Sequence, residues 1–307
     1  MKKLLITGGC GFIGSNLVRQ LKDTYEVVVL DNLSSGSLSN IDQYGVTIIT
    51  GDILNEHDLE RALDGVDMVV HLAASGSVID SIANPVNNFR TNVEGTFQVL
   101  WKSKEAGIEK LVFASTGGAL IGDASPPVSE TSLPKPISPY GASKLCGEAY
   151  LHAFAKSYDF PAVALRFANV FGPMSSHKKG AVTQFIKCIQ RDEPITIYGD
   201  GSASRDYLYV DDLCSGILLA LEKNVEPGEV MHLASGVETT VLQLAKAIME
   251  ISQSSDHPVA FERSRKGEVE RNFARFDYAN EILGFHPAVA LNDGLQQTWD
   301  WFNSISG

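Results

Sequence analysis

The chain has 307 residues, 44% hydrophobic and 20% charged, with a formal net charge of −12. This suits one large or two small globular domains with a packed core, and the acidity argues against nucleic acid or an anionic membrane as a partner. Cys10, Cys146, Cys188 and Cys214 form no Cys-x-x-Cys pair and no metal-ligand spacing, which predicts reduced thiols, no metal and a cytoplasmic location.

The opening Met1–Ile6 resembles a signal peptide only briefly, because Gly8 to Gly14 interrupt the apolar stretch. No apolar run reaches the roughly 18 residues a spanning helix needs. The first half alternates β-rich runs with helical patterns. The runs are Lys3–Thr7, Glu26–Asp31, Thr47–Gly51, Met68–Leu72, Lys110–Ser115 and Ala162–Phe167. Between them lie Ile13–Thr24, His57–Leu63, Asn92–Ala106 and Tyr140–Tyr158. Short apolar strands separated by helices predict a parallel sheet covered on both faces, and right-handed crossovers make it a doubly wound, Rossmann-type α/β fold. After about residue 170 the rhythm changes. Gly172–Gly180 reads as a surface loop. Helices follow at Val182–Arg191, Val210–Glu222, Val241–Ile251 and Leu291–Asn303, the third preceded by a cap within Thr239–Gln243. The chain is expected to pass back to the sheet around Tyr207–Leu221, with a smaller mixed α/β lobe closing over a cleft.

Gly8-x-x-Gly11-x-x-Gly14, with Phe12 and Ile13 inside it, follows the first strand and opens the first helix. Glycines there let the backbone approach a pyrophosphate, whose charge meets the helix N-terminus. Glycine turns are common, so context decides. Asp31 ends the second strand about 20 residues on, where a carboxylate can bind both ribose hydroxyls and would repel a 2′-phosphate. This predicts NAD rather than NADP; the plainer reading of Asp31 is a strand-end turn residue. Asn32 adjoins it. Asp52 and Ile53 follow the third strand within reach of an adenine. Leu72, Ala73 and Ala74 follow the fourth, where small side chains let backbone lie along the cofactor. His71, inside an apolar strand, reads as a packed neutral histidine rather than a base.

Tyr140 and Lys144 are four residues apart, so on a helix they share a face. An ammonium beside a phenol favours the phenolate and is expected to lower its pKa. A phenolate at a nicotinamide is a base for a sugar or alcohol hydroxyl.

Together the motifs resemble the extended short-chain dehydrogenase/reductases, in their nucleotide-sugar epimerase/dehydratase branch. The matching segments run nearly end to end: Gly8 to Gly14, Asp31-Asn32-Leu33, His71 to Ala74, Thr91 to Thr96 around Asn92, Tyr140-x-x-x-Lys144, Arg166 to Pro173 around Phe167, and Tyr198 to Tyr207. The resemblance implies tightly held NAD and a nucleoside-diphosphate sugar. It divides the chain into an NAD-binding domain of 1–169 plus about 206–233 and a nucleotide-sugar lobe of about 170–205 plus 234–307. Tyr140 would deprotonate a sugar hydroxyl while NAD takes the hydride, with Lys144 on the nicotinamide ribose. A hydroxyl after the fifth strand would bond the reacting oxygen. Ser115 and Thr116 are the candidates, Thr116 preferred; either could instead merely satisfy backbone groups.

Related 4,6-dehydratases resemble Thr-Asp-Glu-x-Tyr-Gly in this loop, where the carboxylates carry the elimination. This chain has Thr116-Gly117-Gly118-Ala119-Leu120-Ile121-Gly122, which leaves oxidation, rotation of the ketone and re-reduction: epimerisation at C4 of a UDP-hexose or UDP-N-acetylhexosamine. Ile121 replaces the family's usual tyrosine and is expected to bear on the sugar pocket. Arg205 and Arg265 match the diphosphate-binding arginines, with Lys266 in place of a proline after the second. Asn169 would meet a phosphate or sugar oxygen, Val182 and Tyr198 the uracil, and Ser77 the sugar. Helices Asn92–Ala106 and Tyr140–Tyr158 would pair with their copies in a homodimer, for which Phe97, Leu100, Trp101 and Leu145 suit core or interface equally. Two other readings stand beside this: another NAD enzyme on such substrates (a UDP-glucuronate epimerase or decarboxylase, a dehydratase, a reductase), and a non-catalytic dinucleotide sensor. The Tyr140–Lys144 pair speaks against the sensor.

Overall fold

A computed structural model describes residues 1–264 and 269–306. Among them, six strands follow one another through the first half: β1 (Lys3–Thr7), β2 (Glu26–Asp31), β3 (Thr47–Thr50), β4 (Met68–His71), β5 (Lys110–Thr116) and β6 (Ala162–Phe167). They pair in parallel in the order β6-β5-β4-β1-β2-β3, and a later strand, Val230–Leu233, adds itself beside β6. The strand runs read from the sequence lie where expected to within a residue.

The reason is double burial. Leu4 and Ile6 join one apolar cluster and Leu5 the other; Val27 and Val29 alternate with Val28 and Leu30 in the same way. A strand covered on both faces has no polar side to present, so it reads as a continuous apolar run. Helices Phe12–Leu21 and Val210–Glu222 cover the first face, and Glu56–Leu63, Gly95–Glu105 and Pro139–Tyr158 the second. After β1 the chain moves outward to β2 and β3, then returns to β4 on the other side. That reversal leaves a crevice at the carboxyl ends of β1 and β4, where α/β sheets bind ligands.

Four further short pairings lie beyond this sheet. Ser204–Tyr209 takes Asn169–Phe171 and Arg271–Asn272 in parallel and Glu238–Thr240 antiparallel, and Ile195–Tyr198 pairs with Val259–Glu262. The expected return of the chain to the large sheet around Tyr207–Leu221 is made by a helix rather than a strand. Ser204–Tyr209 belongs to the small sheet, helix Val210–Glu222 packs under the large one, and Val230–Leu233 is the strand that rejoins it. The cap expected before the helix Val241–Ile251 is a reciprocal pair: Gln243 N donates to Thr240 Oγ1 at 3.1 Å and Thr240 N to Gln243 Oε1 at 2.8 Å.

The helix read over Asn92–Ala106 begins earlier and is interrupted. Val78–Ala83 and Pro85–Phe89 precede it, and Arg90–Glu94 form a π-turn before Gly95–Glu105. Among the described residues no helix is long and apolar enough to cross a membrane.

Asp206 joins the two sheets. Only 2% exposed, it accepts from Ser235 N at 2.8 Å, Ser235 Oγ at 2.7 Å and Gly236 N at 3.0 Å. These donors sit where Val230–Leu233 leaves the large sheet, so one carboxylate pins the crossing. Asp206→Ala should strand those amides and cost about 3 kcal/mol of stability, read as a lower urea midpoint with an unchanged slope.

Candidate active site

The glycine loop is crowded where the sequence says it must be. Gly8 has φ +74°, and a Cβ there would lie 2.8 Å from Ala73 N. A side chain at Gly14 would strike the Gly8 carbonyl and the Gly9 backbone. The helix Phe12–Leu21 starts at Gly11 with no side-chain cap, so its first N–H groups are left for an anion. Phe12 is buried beneath the loop and Ile13 half-buried beside it. These residues fit a dinucleotide pyrophosphate.

Asp31 ties this loop to the end of β2. Its Oδ2 accepts from Cys10 N at 2.9 Å and its Oδ1 from Leu33 N at 2.8 Å. Asn32 Nδ2 donates to Asp52 Oδ2 at 2.8 Å, which brings the ends of β2 and β3 together on the side where an adenosine would lie. Ile53 is buried against Gly95, where a Cβ would come within 2.6 Å of its Cδ1. Leu72 N and Ala73 N donate to Thr7 O and Thr7 Oγ1 at 3.1 and 3.3 Å, so the backbone of Leu72, Ala73 and Ala74 runs close past Gly8. Cys10 is fully buried; burial, then the Asp31 carboxylate, pushes its thiol up to about 12, which leaves it inert. All four cysteines are free.

His71 is the packed residue its apolar strand suggests. Its Nδ1 lies 2.7 Å from Thr7 Oγ1 and its Nε2 3.1 Å from Thr96 Oγ1. Burial, with a smaller push from the Lys144 charge, brings it down to about 3, so it stays neutral.

Tyr140 and Lys144 stand in the first turns of the helix Pro139–Tyr158. Ser138 Oγ caps it by accepting from Gly141 N at 3.2 Å, and Pro139 fits the first position, where an N–H would go unused. Gly147 lets the helix press on Phe113 of β5; a Cβ would lie 2.5 Å from the ring. Thr116 closes β5 and shares a hydrogen bond with the Tyr140 phenol. Ser115, one residue earlier on β5, meets the same helix two turns further along. Its Oγ donates to Glu148 Oε1 at 2.5 Å. The structure therefore brings Thr116, not Ser115, to the tyrosine.

The expected depression of the phenol is not what this geometry holds. Burial pushes Tyr140 up to about 12, opposed by the Thr116 hydrogen bond. Lys144, 3% exposed, turns its ammonium to the Ala114 carbonyl at 2.7 Å and over the Phe113 ring. Burial brings it down to about 7, opposed by the Glu148 charge. Enclosure outweighs the neighbour effect that spacing alone suggests.

Asn92 sits on the π-turn and works as a clasp. Its Nδ2 donates to Ser143 Oγ at 3.0 Å and Ser75 O at 3.1 Å, and its Oδ1 accepts from Ser75 N at 2.8 Å. Ser143 Oγ donates in turn to the Tyr140 carbonyl at 2.8 Å. The clasp joins the loop after β4 to the reacting helix. Ser77 caps the helix Val78–Ala83, accepting from Asp80 N at 3.1 Å.

Toward the smaller lobe the candidates are more scattered. Phe167 is buried in register with Thr116. Asn169 is exposed at the start of its strand, opposite Tyr207. Val182 is buried in the core cluster. Tyr198 is half-buried at the end of its strand. Arg205 is half-exposed, with Nη1 donating to Ser204 O at 2.8 Å and Glu270 O at 3.3 Å. Arg265 and Lys266 lie outside the described residues.

Ile121, expected to bear on the sugar pocket, is fully buried with Leu120, Val128, Ala234 and Ala274. Its replacement of a tyrosine is absorbed by apolar packing. Sequence reasoning missed the Glu148–Arg166 ion pair, with Nε–Oε1 at 2.9 Å and Nη2–Oε2 at 2.8 Å. The available signal was the four-residue spacing of Lys144 and Glu148, which puts a carboxylate one turn behind the lysine.

The match to known proteins extends over this whole arrangement. Residues 4–234 match the model of the NAD dependent epimerase/dehydratase family. A UDP-glucose 4-epimerase of Mycolicibacterium smegmatis is 35% identical, over 99% of each chain. The structure of a UDP-glucose 4-epimerase from Thermotoga maritima, solved with UDP-glucose, superposes with a TM-score of 0.95 at 39% identity, over 99% of this chain and 100% of that one. A UDP-N-acetylglucosamine 4-epimerase from Methanobrevibacter ruminantium, in complex with UDP-N-acetylmuramic acid, gives 0.94 at 34%, over 99% of each. With the glycine cradle, the Asp31 strand end and the Tyr140–Thr116 contact in place, the chain belongs to the NAD-dependent epimerase/dehydratase family, and its cofactor is NAD.

Proposed function

We propose that the protein is a 4-epimerase of a UDP-hexose or UDP-N-acetylhexosamine, of the UDP-glucose/UDP-galactose type. The observation that carries this reading is the loop after β5. Thr116 brings a hydroxyl to Tyr140, while Gly117 to Gly122 contain no carboxylate. Dehydration across C5 and C6 requires an acid and a base beside those carbons. Gly118 lies against Asn272 and Ile121 is sealed in apolar packing, so the loop supplies neither. Exchange of configuration at C4 needs only one proton carrier.

Tyr140 Oη is that carrier. It removes the proton of the sugar 4-hydroxyl, with Thr116 fixing the oxygen, and returns it after the 4-ketone has turned its other face. When bound, NAD would supply a reversible hydride acceptor for C4, so the exchange would leave no net redox change. A phenol held near 12 needs a cation nearby to ionise at neutral pH, and Lys144 one helical turn away is placed to supply it. Gly8, Gly11, Phe12, Ile13, Gly14, Asp31, Asn32, Asp52, Ile53, Leu72, Ala73, Ala74, Asn92 and Phe167 would hold the dinucleotide. Arg205 and Arg265 would hold the diphosphate, Asn169 and Ser77 the sugar side, and Val182 and Tyr198 the uracil. This assigns 1–169 plus about 206–233 to NAD and about 170–205 plus 234–307 to the nucleotide sugar.

The dimer expectation is supported by an aromatic face on the helices Gly95–Glu105 and Pro139–Tyr158. Phe97 meets Tyr150 and Trp101 meets Tyr158, with ring centroids at 5.4 and 6.4 Å, and Tyr150 and Tyr158 remain 42% and 49% exposed. Leu100 is core, and Leu145 packs against the Ile121 cluster. Tyr150→Glu with Tyr158→Glu should convert a dimer to monomer in sedimentation; an unchanged mass would remove this face from the interface.

Purified protein incubated with UDP-glucose, UDP-N-acetylglucosamine or UDP-glucuronate, without added cofactor, should yield the matching galacto isomer from one of the first two by NMR. An alkene, ketone or pentose signal would reject epimerisation. Tyr140→Phe should lower kcat by about 10³-fold with NAD content intact, and Thr116→Val should cost more than Ser115→Ala. Equal effects at Thr116 and Ser115 would contradict the assigned hydroxyl. Asp31→Ala should weaken NAD binding by about tenfold or more and narrow its advantage over NADP in a cofactor titration.

A further inference from the structure

The buried polar residues that this reaction leaves unused gather directly behind Lys144. Glu148 stands one turn further along the same helix face, 5% exposed. Arg166 of β6 grips its carboxylate with two parallel hydrogen bonds at 2.9 and 2.8 Å, and Ser115 of β5 adds a third at 2.5 Å. Two strands thus fix one anion through three hydrogen bonds. Lys144 does not close on it: its ammonium donates to the Ala114 carbonyl, and the carboxylate acts on it through space.

The surroundings of Lys144 give that anion its weight. From β4 it faces neutral His71, from β5 the Phe113 ring, from its own helix Tyr140 and Glu148, and from β6 Arg166 behind the carboxylate. Burial disfavours the ammonium and the Glu148 charge opposes it. The pair is also poorly arranged as a device for stability alone. Arg166 Nη1 is buried without a protein partner, and so is Nε2 of His232, the residue in register with Arg166 on Val230–Leu233. Apolar side chains would fill such a site at no loss of stability. Charges kept there with nitrogens unmatched point to a use for the charge.

We propose that Glu148 is a positioning residue for the reaction: clamped by Arg166 and Ser115, its carboxylate keeps Lys144 an ammonium at neutral pH, beside the tyrosine that must ionise. The proposal rests on the reading of Lys144 as the cation of the proposed reaction. A group that raises the lysine's affinity for its proton moves the deprotonation to higher pH. Without it, Lys144 loses its charge at lower pH and the alkaline limb of kcat retreats toward neutrality.

The test is an NMR titration of the Lys144 Cε signal in 13C-lysine-labelled protein, assigned with Lys144→Met. Glu148→Gln should lower the titration midpoint by about one pH unit, and Glu148→Asp should restore it. The same variants should move the alkaline limb of kcat in step, with the KM of the nucleotide sugar unchanged. Because Glu148→Gln leaves Arg166 unpaired, Glu148→Gln with Arg166→Met is measured beside it and should also titrate lower. A folded Glu148→Gln or double variant with the wild-type midpoint would overturn the proposal. Loss of fold in every variant would assign the pair to stability alone and overturn it equally. The Lys144 titration needs no substrate, so failure of the epimerase reading would appear separately, as absent turnover with the lysine shift intact.

Discussion

Charge held out of water is the constraint on which this structure turns. At the carboxyl end of the large sheet an ammonium, a carboxylate and a guanidinium are enclosed within two strands and one helix, beside the half-buried Tyr140. Each is costly to bury alone, and each is tolerable only because another group is placed to meet it. That requirement explains why helix Pro139–Tyr158 lies so close to β5. Gly141 and Gly147 strip side chains from its inner face, and Phe113 fills the space Gly147 leaves. Ser115 and Thr116, neighbours in sequence, serve different partners along that one helix, Glu148 and Tyr140.

The nucleotide end obeys a different economy. Its carboxylates, Asp31, Asp52 and Asp58, are all tied to backbone or side-chain donors of the strand ends. The glycines matter by what they omit, since a methyl at Gly8 or Gly14 would meet main chain that has no freedom to retreat. Asp31 has a structural duty, holding the loop by Cys10 N and the turn after β2 by Leu33 N.

Much of this was legible from residue order, for local reasons. A strand buried on both faces announces itself as an apolar run, and a glycine loop followed by a helix and a strand-end aspartate is a pattern confined to about thirty residues. What escaped was set by distance along the chain. Glu148 and Arg166 are ordinary polar residues until β6 is laid beside the helix, and Asp206 gives no sign that its partners are Ser235 and Gly236. Ile121 was read as a pocket residue because a motif places it in a loop, whereas the fold turns it into an apolar cluster. The tyrosine's acidity was misjudged for the same reason: spacing reports which groups are neighbours, and enclosure, which decides the sign, is a property of the whole fold.

The π-turn at Arg90–Glu94 has a consequence for how this chain can vary. One surplus residue there sets the rotation of everything after it on the same helix. Deleting it would turn Gly95–Glu105 by about 100°, taking Gly95 off Ile53 and swinging Phe97 and Trp101 away from Tyr150 and Tyr158. The Gly95–Ile53 contact and the outer aromatic face thus share a single phase, so insertions and deletions that loops elsewhere absorb are forbidden in this short stretch.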